Sequence, residues 1–275
     1  MIRSCHIEIT AISPDYIWVP FYTPGPVRIS RAESASPVDP AQKIYLMIRM
    51  VVFDMAGTTV DEDNVVYKTL QRAIADHGYA FTLDDVLAAG AGKEKLQAVK
   101  SILALKQIHN DSLSAAIYQH FVILLNEAYT YLSVRPQPNA PDVFRILRQQ
   151  KIIVILNTGY DRATAQNLTT KLGWEKGLTY DDLITASDVD NGRPQPDMIL
   201  LAMQHFNIRH PGEVIKVGDS IVDIEEGKNA RCALSIGITT GAHSQDQLLS
   251  ANPDFTISDL SELPFIISNY NAMHA

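Results

Sequence analysis

The chain has 275 residues, 46% of them hydrophobic and 20% charged, so it can bury one large core or two smaller ones. Its formal net charge is −8, and lysine and arginine form no cluster along it. Nucleic acids and anionic membranes require a basic protein face, so the composition argues against both as partners.

Residues 1–46 differ in composition from the rest of the chain. They contain six of the 14 prolines and show no sustained strand or helix periodicity, which predicts an irregular N-terminal extension. Met47 and Met50 stand just before the first predicted core strand, so we expect the folded core to begin at residue 47. The segment also lacks the continuous apolar stretch that is typical of a secretory signal peptide.

From residue 47 onward, short runs rich in β-branched residues alternate with helical segments. The predicted strands are 48–54, 152–156, 183–186, 214–217 and 233–238. The predicted helices between the later strands are 161–172, 196–206 and 221–230. Apolar strands that alternate with helices indicate an α/β fold with a parallel sheet covered on both faces. We assign residues 47–65 and 140–275 to this core and expect its active residues at the carboxyl ends of the strands.

Residues 66–139 interrupt the alternation of strands and helices. They carry no strand signal, and their apolar positions recur at helical spacing. Thr82 and Asp85 have the spacing of a capping box, which predicts the start of a helix. The return to the core is marked by Pro136, Pro138 and Pro141. The segment is therefore predicted to be a helical cap inserted between the first two strands of the core.

The two cysteines of the chain, Cys5 and Cys232, offer neither a CxxC pair nor a disulfide framework. This usage is typical of a reducing compartment. No apolar stretch of the sequence approaches the roughly 20 residues that a membrane-spanning helix needs. We therefore expect a cytoplasmic protein.

Polar residues follow the first two predicted strands. Asp54 ends the first apolar run, and Thr58 and Thr59 lie in the next turn. Asn-Thr-Gly at 157–159 ends the second run, just before the helix that is predicted from Asp161. The threonine hydroxyl and the backbone N–H groups there could bind an anion. Taken alone, each motif is equally explained as an ordinary turn.

Two further motifs follow later strands. Arg193 lies just before a predicted helix, where a guanidinium could neutralise phosphate charge. Asp219 and Asp223 follow the strand at 214–217, and with Asp54 they form an oxygen-rich set that suits Mg²⁺. The alternatives are a surface arginine and an acidic helix N-terminus. Four motifs in this order, each at a strand end of one sheet, do not share one such explanation.

With these motifs in order and a helical insert after the first, the chain from residue 48 onward resembles the haloacid dehalogenase superfamily of phosphohydrolases. The resemblance implies a Rossmann-like core, a small phosphonate or phosphate substrate, and Asp54 as a nucleophile that becomes phosphorylated. It implies Mg²⁺ held by Asp54, the backbone carbonyl of Ala56 and Asp219, with Asp223 in support. It also implies a homodimer formed through a cap helix. The residues implied to contact the substrate are Thr58, Gly90, Thr158, Gly159 and Arg193.

Alanine at position 56 departs from most of that superfamily, which carries a second aspartate there to protonate the leaving alkoxide. Loss of a general acid costs about 10²–10⁴-fold in rate. The segment 54–61, together with 157–160 and 192–194, resembles the phosphonatase branch of the superfamily. Enzymes of that branch cleave the carbon–phosphorus bond of phosphonoacetaldehyde, so their leaving group is a carbanion, which protonation of an oxygen cannot stabilise. A cap lysine forms a Schiff base with the aldehyde and accepts the electrons.

The lysine predicted for this role is Lys93, in a glycine-rich loop of the cap. Gly90 matches the glycine that lies three residues before the phosphonatase lysine, whereas Ala89 and Leu96 replace a methionine and a histidine of that branch. An amine must be neutral to attack a carbonyl, so Lys93 needs a lowered pKa, and the charge of nearby Lys95 could lower it.

Three functions remain open on the residues alone. The first is a Mg²⁺-dependent phosphonatase that uses Lys93 as a Schiff base. The second is a phosphatase of a small phosphomonoester, in which Lys93 would only bind phosphate. The third is a non-catalytic phosphate-sensing or partner-binding module on the same fold. Alanine at position 56 favours the first, and leucine at position 96 argues against it.

Overall fold

The computed structural model describes residues 47–131 and 133–274, so the predicted N-terminal extension lies outside the described residues. The strands are β1 (Met50–Asp54), β2 (Val60–Asp61), β3 (Arg135–Pro136), β4 (Ile153–Thr158), β5 (Asp182–Thr185), β6 (Val214–Gly218), β7 (Leu234–Ile238) and β8 (Phe255–Ile257). The helices are α1 (Val65–Asp76), α2 (Leu83–Gly90), α3 (Lys95–Ala104), α4 (Asp111–Tyr131), α5 (Ala140–Gln149), α6 (Arg162–Lys171), α7 (Asp197–His205), α8 (Ile221–Asn229), α9 (Gln245–Ser250) and α10 (Leu263–Met273). Within the described residues, none of these helices has the length and apolarity to cross a bilayer.

Six strands form one parallel sheet, in the order β5-β4-β1-β6-β7-β8. β1 lies near the centre of the sheet, and Asp54 is in register with Asn157 of β4. On the other side of β1, Phe53 is in register with Val217 of β6. Because the strands are parallel, their carboxyl ends share one edge, and the loops that follow β1, β4 and β6 meet there.

The predicted α/β fold is confirmed, and each predicted core strand and helix has a counterpart in the structure. β1 and β6 are buried along their whole length, in accordance with their largely apolar sequences. The sequence analysis missed α5, because we interpreted Pro141 as part of a hinge. Pro141 instead lies in the first turn of α5, where the missing N–H of proline would have no helical partner.

The helices α1 to α4 follow β1 in the chain and precede α5, as expected for a helical cap inserted into the core. β2 and β3 form a two-stranded antiparallel ribbon that joins the two connecting segments, with Val60 paired to Pro136. The predicted capping box is confirmed: Thr82 Oγ1 accepts from the backbone N–H of Asp85 at 3.1 Å, and the Asp85 carboxylate accepts from the N–H of Thr82 at 2.9 Å. The assignment of 66–139 to a separate domain stays a prediction.

Thr82→Ala should lower the free energy of unfolding by about 1 kcal/mol, because the N–H of Asp85 loses its partner at the start of α2. Denaturant titration of the two proteins measures this change. Thr170→Ala is the matched control, since Thr170 is an exposed threonine in the last turns of α6. Alanine has the higher helix propensity there, so the control should be unchanged or slightly more stable. Equal stability of Thr82→Ala and the wild type would contradict the prediction.

Candidate active site

Asp54 is the centre of the cluster at the carboxyl edge of the sheet. It ends β1, its side chain is almost fully buried, and its Oδ1 lies 2.6 Å from Nη1 of Arg193. The following turn is tied to the strand by the Thr59 hydroxyl, which donates to the backbone carbonyl of Asp54 at 2.9 Å. Burial raises the pKa of Asp54, although the charge of Arg193 partly opposes this effect.

Arg193 reaches the cluster from the loop between β5 and α7, and its guanidinium is fully buried. Besides Asp54, Nη1 contacts Asp223 at 2.9 Å, and Nε donates to Glu226 at 2.9 Å. Nη2 donates to the backbone carbonyl of Asn157 at 2.8 Å. Burial alone would lower the pKa of Arg193. The charges of Asp223, Asp54 and Glu226 together raise it by more than burial lowers it, so the net shift is upward. Its donors are directed at protein acceptors, so this geometry favours a role in holding the nucleophile.

Lys216 is a second buried cation that the sequence analysis missed. Its Nζ lies 2.9 Å from Asp223, 3.2 Å from Glu226 and 3.2 Å from Oδ1 of Asn157. The available signal was a lysine within the otherwise apolar strand β6. A charged residue in a strand that is buried on both faces must have paired partners.

The carboxylates of Asp54, Asp219 and Asp223 form the candidate metal site. One oxygen from each lies within 4.8 Å of the others. Burial raises the pKa of Asp219 well above its ordinary value, and the charges of the other two aspartates raise it further. With Glu226, the cluster holds four buried carboxylates against the two cations Arg193 and Lys216, which leaves two negative charges. A divalent cation would balance them, and oxygen ligands suit Mg²⁺.

The remaining predicted residues of the core lie around this cluster. Thr58 is buried and donates to Oδ1 of Asp219 at 3.4 Å. Thr158 ends β4, and its Oγ1 accepts from the backbone N–H of Tyr160 at 3.2 Å. Ala56 lies in the turn two residues after Asp54, and its side chain offers no proton to a leaving group.

The cap loop that precedes α3 approaches the core most closely at two glycines. A Cβ at Gly159 would lie 2.9 Å from the backbone oxygen of Gly92, and a Cβ at Gly92 would lie 2.3 Å from the hydroxyl of Ser220. Gly90, which we predicted to bind substrate, instead ends α2 and packs against Ala98 and Ile102 of α3. The glycine that permits close approach to the core is therefore Gly92.

Lys93 does not lie with the carboxylates. It is half-buried, and its Nζ donates to the hydroxyl of Ser101 on α3 at 3.2 Å. Burial lowers its pKa, and the carboxylate of Glu225 opposes this effect. Its predicted role in catalysis stays a prediction that this geometry does not favour.

Lys95, two residues further on, lies against the loop that follows β4. It is buried, its Nζ donates to the backbone carbonyl of Lys93 at 2.8 Å, and this atom lies 5.2 and 5.1 Å from the ring centroids of Tyr67 and Tyr160. Burial lowers the pKa of Lys95 to about 8, although the charges of Asp54 and other carboxylates oppose this effect. An amine with this pKa is partly neutral near pH 7 and can act as a nucleophile.

A cavity of about 150 Å³ connects the cap to the loop after β4. The cap contributes Lys95 and aromatic and aliphatic side chains of α4 such as Phe121, and the core contributes Gly159 and Tyr160. A small substrate held by the N–H groups after β4 would therefore extend toward the amine of Lys95.

A model of the haloacid dehalogenase-like hydrolases matches residues 48–231, which is more than half of the chain. The phosphonoacetaldehyde hydrolase of Latilactobacillus sakei is 28% identical over 262 residues, which cover 81% of this chain and 96% of that protein. The "probable phosphatase IndB" of Dickeya dadantii is 28% identical over 216 residues, which cover 78% of this chain and 91% of that protein. A crystal structure of a phosphonoacetaldehyde hydrolase-like protein from Oleispira antarctica has the same fold, with a TM-score of 0.72 and 24% identity over 83% of this chain and 94% of that one.

Asp219→Asn should separate metal binding from folding. In metal-free protein we expect this variant to be at least as stable as the wild type, because it removes one of the mutually repelling buried charges. At a Mg²⁺ concentration 100 times the Kd of the ion for the wild type, the free energy of unfolding of the wild type should rise by about 2.7 kcal/mol. The free energy of unfolding of the variant should rise little. Denaturant titration with and without Mg²⁺ measures both effects.

The matched control for this experiment is Asp61→Asn. Asp61 is partly exposed and pairs with the exposed Arg135, so its loss should leave the stabilisation by Mg²⁺ unchanged. Equal stabilisation of Asp219→Asn and the wild type by Mg²⁺ would show that the ion does not bind at this cluster.

Proposed function

This chain belongs to the haloacid dehalogenase-like hydrolases, and within that family we propose that it cleaves the carbon–phosphorus bond of a small phosphonate that carries a carbonyl group, with phosphonoacetaldehyde as the first candidate. The observation that carries the proposal is the buried amine of Lys95, which faces the same cavity as the loop after β4. Alanine at position 56 agrees with this proposal, because a carbon leaving group does not need a general acid that protonates a leaving oxygen.

In the proposed reaction, the neutral amine of Lys95 adds to the substrate carbonyl to form a carbinolamine. The carbinolamine takes up one proton and loses water, which forms an iminium. A carboxylate oxygen of Asp54 then attacks phosphorus. As the O–P bond forms, the C–P bond breaks, and its electron pair moves into the iminium to give an enamine. Water hydrolyses the phosphorylated Asp54 to inorganic phosphate, and protonation and hydrolysis of the enamine release the aldehyde and restore Lys95.

The other residues position these groups. Arg193 holds the attacking carboxylate of Asp54, and the hydroxyl of Thr158 and the backbone N–H groups beside Gly159 bind the phosphonate oxygens. Mg²⁺ at the three aspartates, with the backbone carbonyl of Ala56, would reduce the repulsion between the nucleophile and the anionic substrate. The cap loop packs against Gly159 and keeps bulk water from the reacting atoms.

Hydrolysis of a small phosphomonoester is the second candidate function. The similarity to the phosphatase from Dickeya dadantii supports this alternative. In such an enzyme the ammonium of Lys95 would bind an anionic part of the substrate, and no covalent bond to the lysine would form.

Asp54→Asn should abolish turnover of both phosphonoacetaldehyde and p-nitrophenyl phosphate, because the amide keeps the volume but cannot attack phosphorus. Steady-state phosphate release measures turnover, and circular dichroism verifies the fold. Asp61→Asn should retain the activity of the wild type, since Asp61 lies seven residues further on and outside the cluster. A variant at Asp54 with activity within about tenfold of the wild type would exclude the proposed nucleophile.

Borohydride trapping should distinguish the two functions and the two lysines. Reduction in the presence of phosphonoacetaldehyde should inactivate the wild type and leave a two-carbon adduct on Lys95, which peptide mass spectrometry can locate. Lys95→Arg should be nearly inactive, because a guanidinium keeps the charge but forms no imine. The matched variant Lys93→Arg should retain most of the activity.

The opposite results would each have a definite meaning. An adduct on Lys93 would assign the amine to the lysine that the glycine spacing predicts. Turnover of phosphomonoesters with no adduct, and with only KM raised in Lys95→Arg, would favour the phosphatase. Absence of turnover with any substrate would favour a phosphate-binding module.

A further inference from the structure

Glu62 is a buried carboxylate that the proposed reaction does not yet use. It directly follows β2, between the core and α1, and its side chain is only 3% exposed. It accepts hydrogen bonds from the hydroxyls of Tyr129 at 2.6 Å and Tyr160 at 2.9 Å. Tyr129 belongs to α4, and Tyr160 lies in the loop that follows β4, two residues after Thr158. One carboxylate thus joins the connecting segment, the cap and the phosphate-binding side of the core.

The same tyrosine connects Glu62 to Lys95. The Tyr160 hydroxyl donates to Glu62, while its ring lies 5.1 Å from the Nζ of Lys95. Tyr67 covers the amine from another side, and its hydroxyl accepts from the backbone N–H of Gly92 at 3.1 Å. The carboxylate and the amine thus contact the same aromatic side chain and are both buried, so their charges interact more strongly than they would in solvent.

Glu62 and Lys95 both change their proton count near neutrality. Burial raises the pKa of Glu62 to about 7, although the tyrosine hydrogen bonds and the charge of Lys95 oppose this effect. Burial lowers the pKa of Lys95 to about 8, and the charge of Glu62 opposes it. The other titratable or charged groups that face the pair are Asp54, Tyr67, Glu94, Tyr129, Tyr160 and Arg193. The three tyrosines remain neutral, because burial raises their pKa values well above 10.

We propose that Glu62 is a positioning residue which, as a buried counter-charge of the Lys95 amine beside Asp54, helps to set how many protons that amine carries. The inference rests on the proposed function for the use that is made of the amine. Imine formation requires Lys95 to lose a proton, and the buried pair stays electrically balanced if Glu62 becomes protonated at the same time.

The test measures the protonation of Lys95 directly and needs no turnover. The full-length protein is methylated with formaldehyde and cyanoborohydride across a series of pH values, at one fixed Mg²⁺ concentration because the charge of Asp54 also acts on Lys95. Peptide mass spectrometry follows the rate at Lys95, with the exposed amine of Lys68 as the internal standard. Only the neutral amine reacts, so the midpoint of the profile reports its pKa.

Glu62→Gln keeps the volume and the acceptor oxygen but removes the negative charge. The midpoint for Lys95 should fall by about one pH unit, because the ammonium loses its counter-charge, and the rate at pH 7 should rise severalfold. Asp61→Asn is the matched control: it removes the neighbouring carboxylate, which pairs with Arg135, and should leave the midpoint unchanged. Where phosphonoacetaldehyde is turned over, the acidic limb of kcat/KM should shift with the midpoint.

An unchanged midpoint in folded Glu62→Gln would overturn the proposal. If that variant does not fold, Tyr129→Phe removes one hydrogen bond from the Glu62 carboxylate and raises the pKa of Glu62. The midpoint for Lys95 should then fall by a smaller amount, and an unchanged midpoint would again count against the proposal. Failure of the proposed function is a separate result, because a protein without phosphonate turnover still yields the methylation profile.

Discussion

The buried guanidinium of Arg193 is the interaction on which the site depends. It contacts Asp54, Asp223 and Glu226, so one cation holds carboxylates from β1 and α8 at the edge of the sheet. Buried ion pairs carry a large desolvation cost, and removal of one partner leaves an uncompensated charge that costs several kcal/mol, about 3–5 in measured cases. The arrangement is therefore maintained only as a complete set, in which Lys216 supplies the second positive charge.

The parallel sheet determines which residues can join that set. β1 lies between β4 and β6, so the loops after these three strands emerge side by side. This topology explains why residues as distant in sequence as Asp54, Thr158 and Asp219 could be predicted to meet. An apolar strand that ends in a polar residue is a local signal, and the parallel arrangement converts several such signals into one site. The core strands that carry these loops and the three aspartates of the cluster were predictable for this reason, whereas α5 and Glu226 were not predicted.

The cap was less predictable, because the direction of a side chain there depends on where a helix begins. The glycine spacing pointed to Lys93, but α3 begins at Lys95, and the carboxylate of Glu94 accepts from the N–H groups of Leu96 and Gln97. Because Glu94 is the N-cap residue of α3, Lys95 lies in the first turn of the helix with its amine toward the tyrosines, whereas Lys93 remains in the loop. Glu62 gave no sequence signal, because its partners come from elements nearly 70 and 100 residues away.

The segment 157–160 connects the two buried charge systems of the protein. Asn157 accepts from Arg193 and Lys216 in the carboxylate cluster, and Gly159 lies against the backbone of the cap loop. Tyr160 then donates to Glu62 and covers the amine of Lys95. The contact of the cap loop with Gly159 therefore ties the Asp54 side of the cleft to the Lys95 side. Because one short segment contacts both sides, a change in its backbone would disturb the surroundings of Asp54 and of Lys95 together, even though neither residue lies on the segment itself.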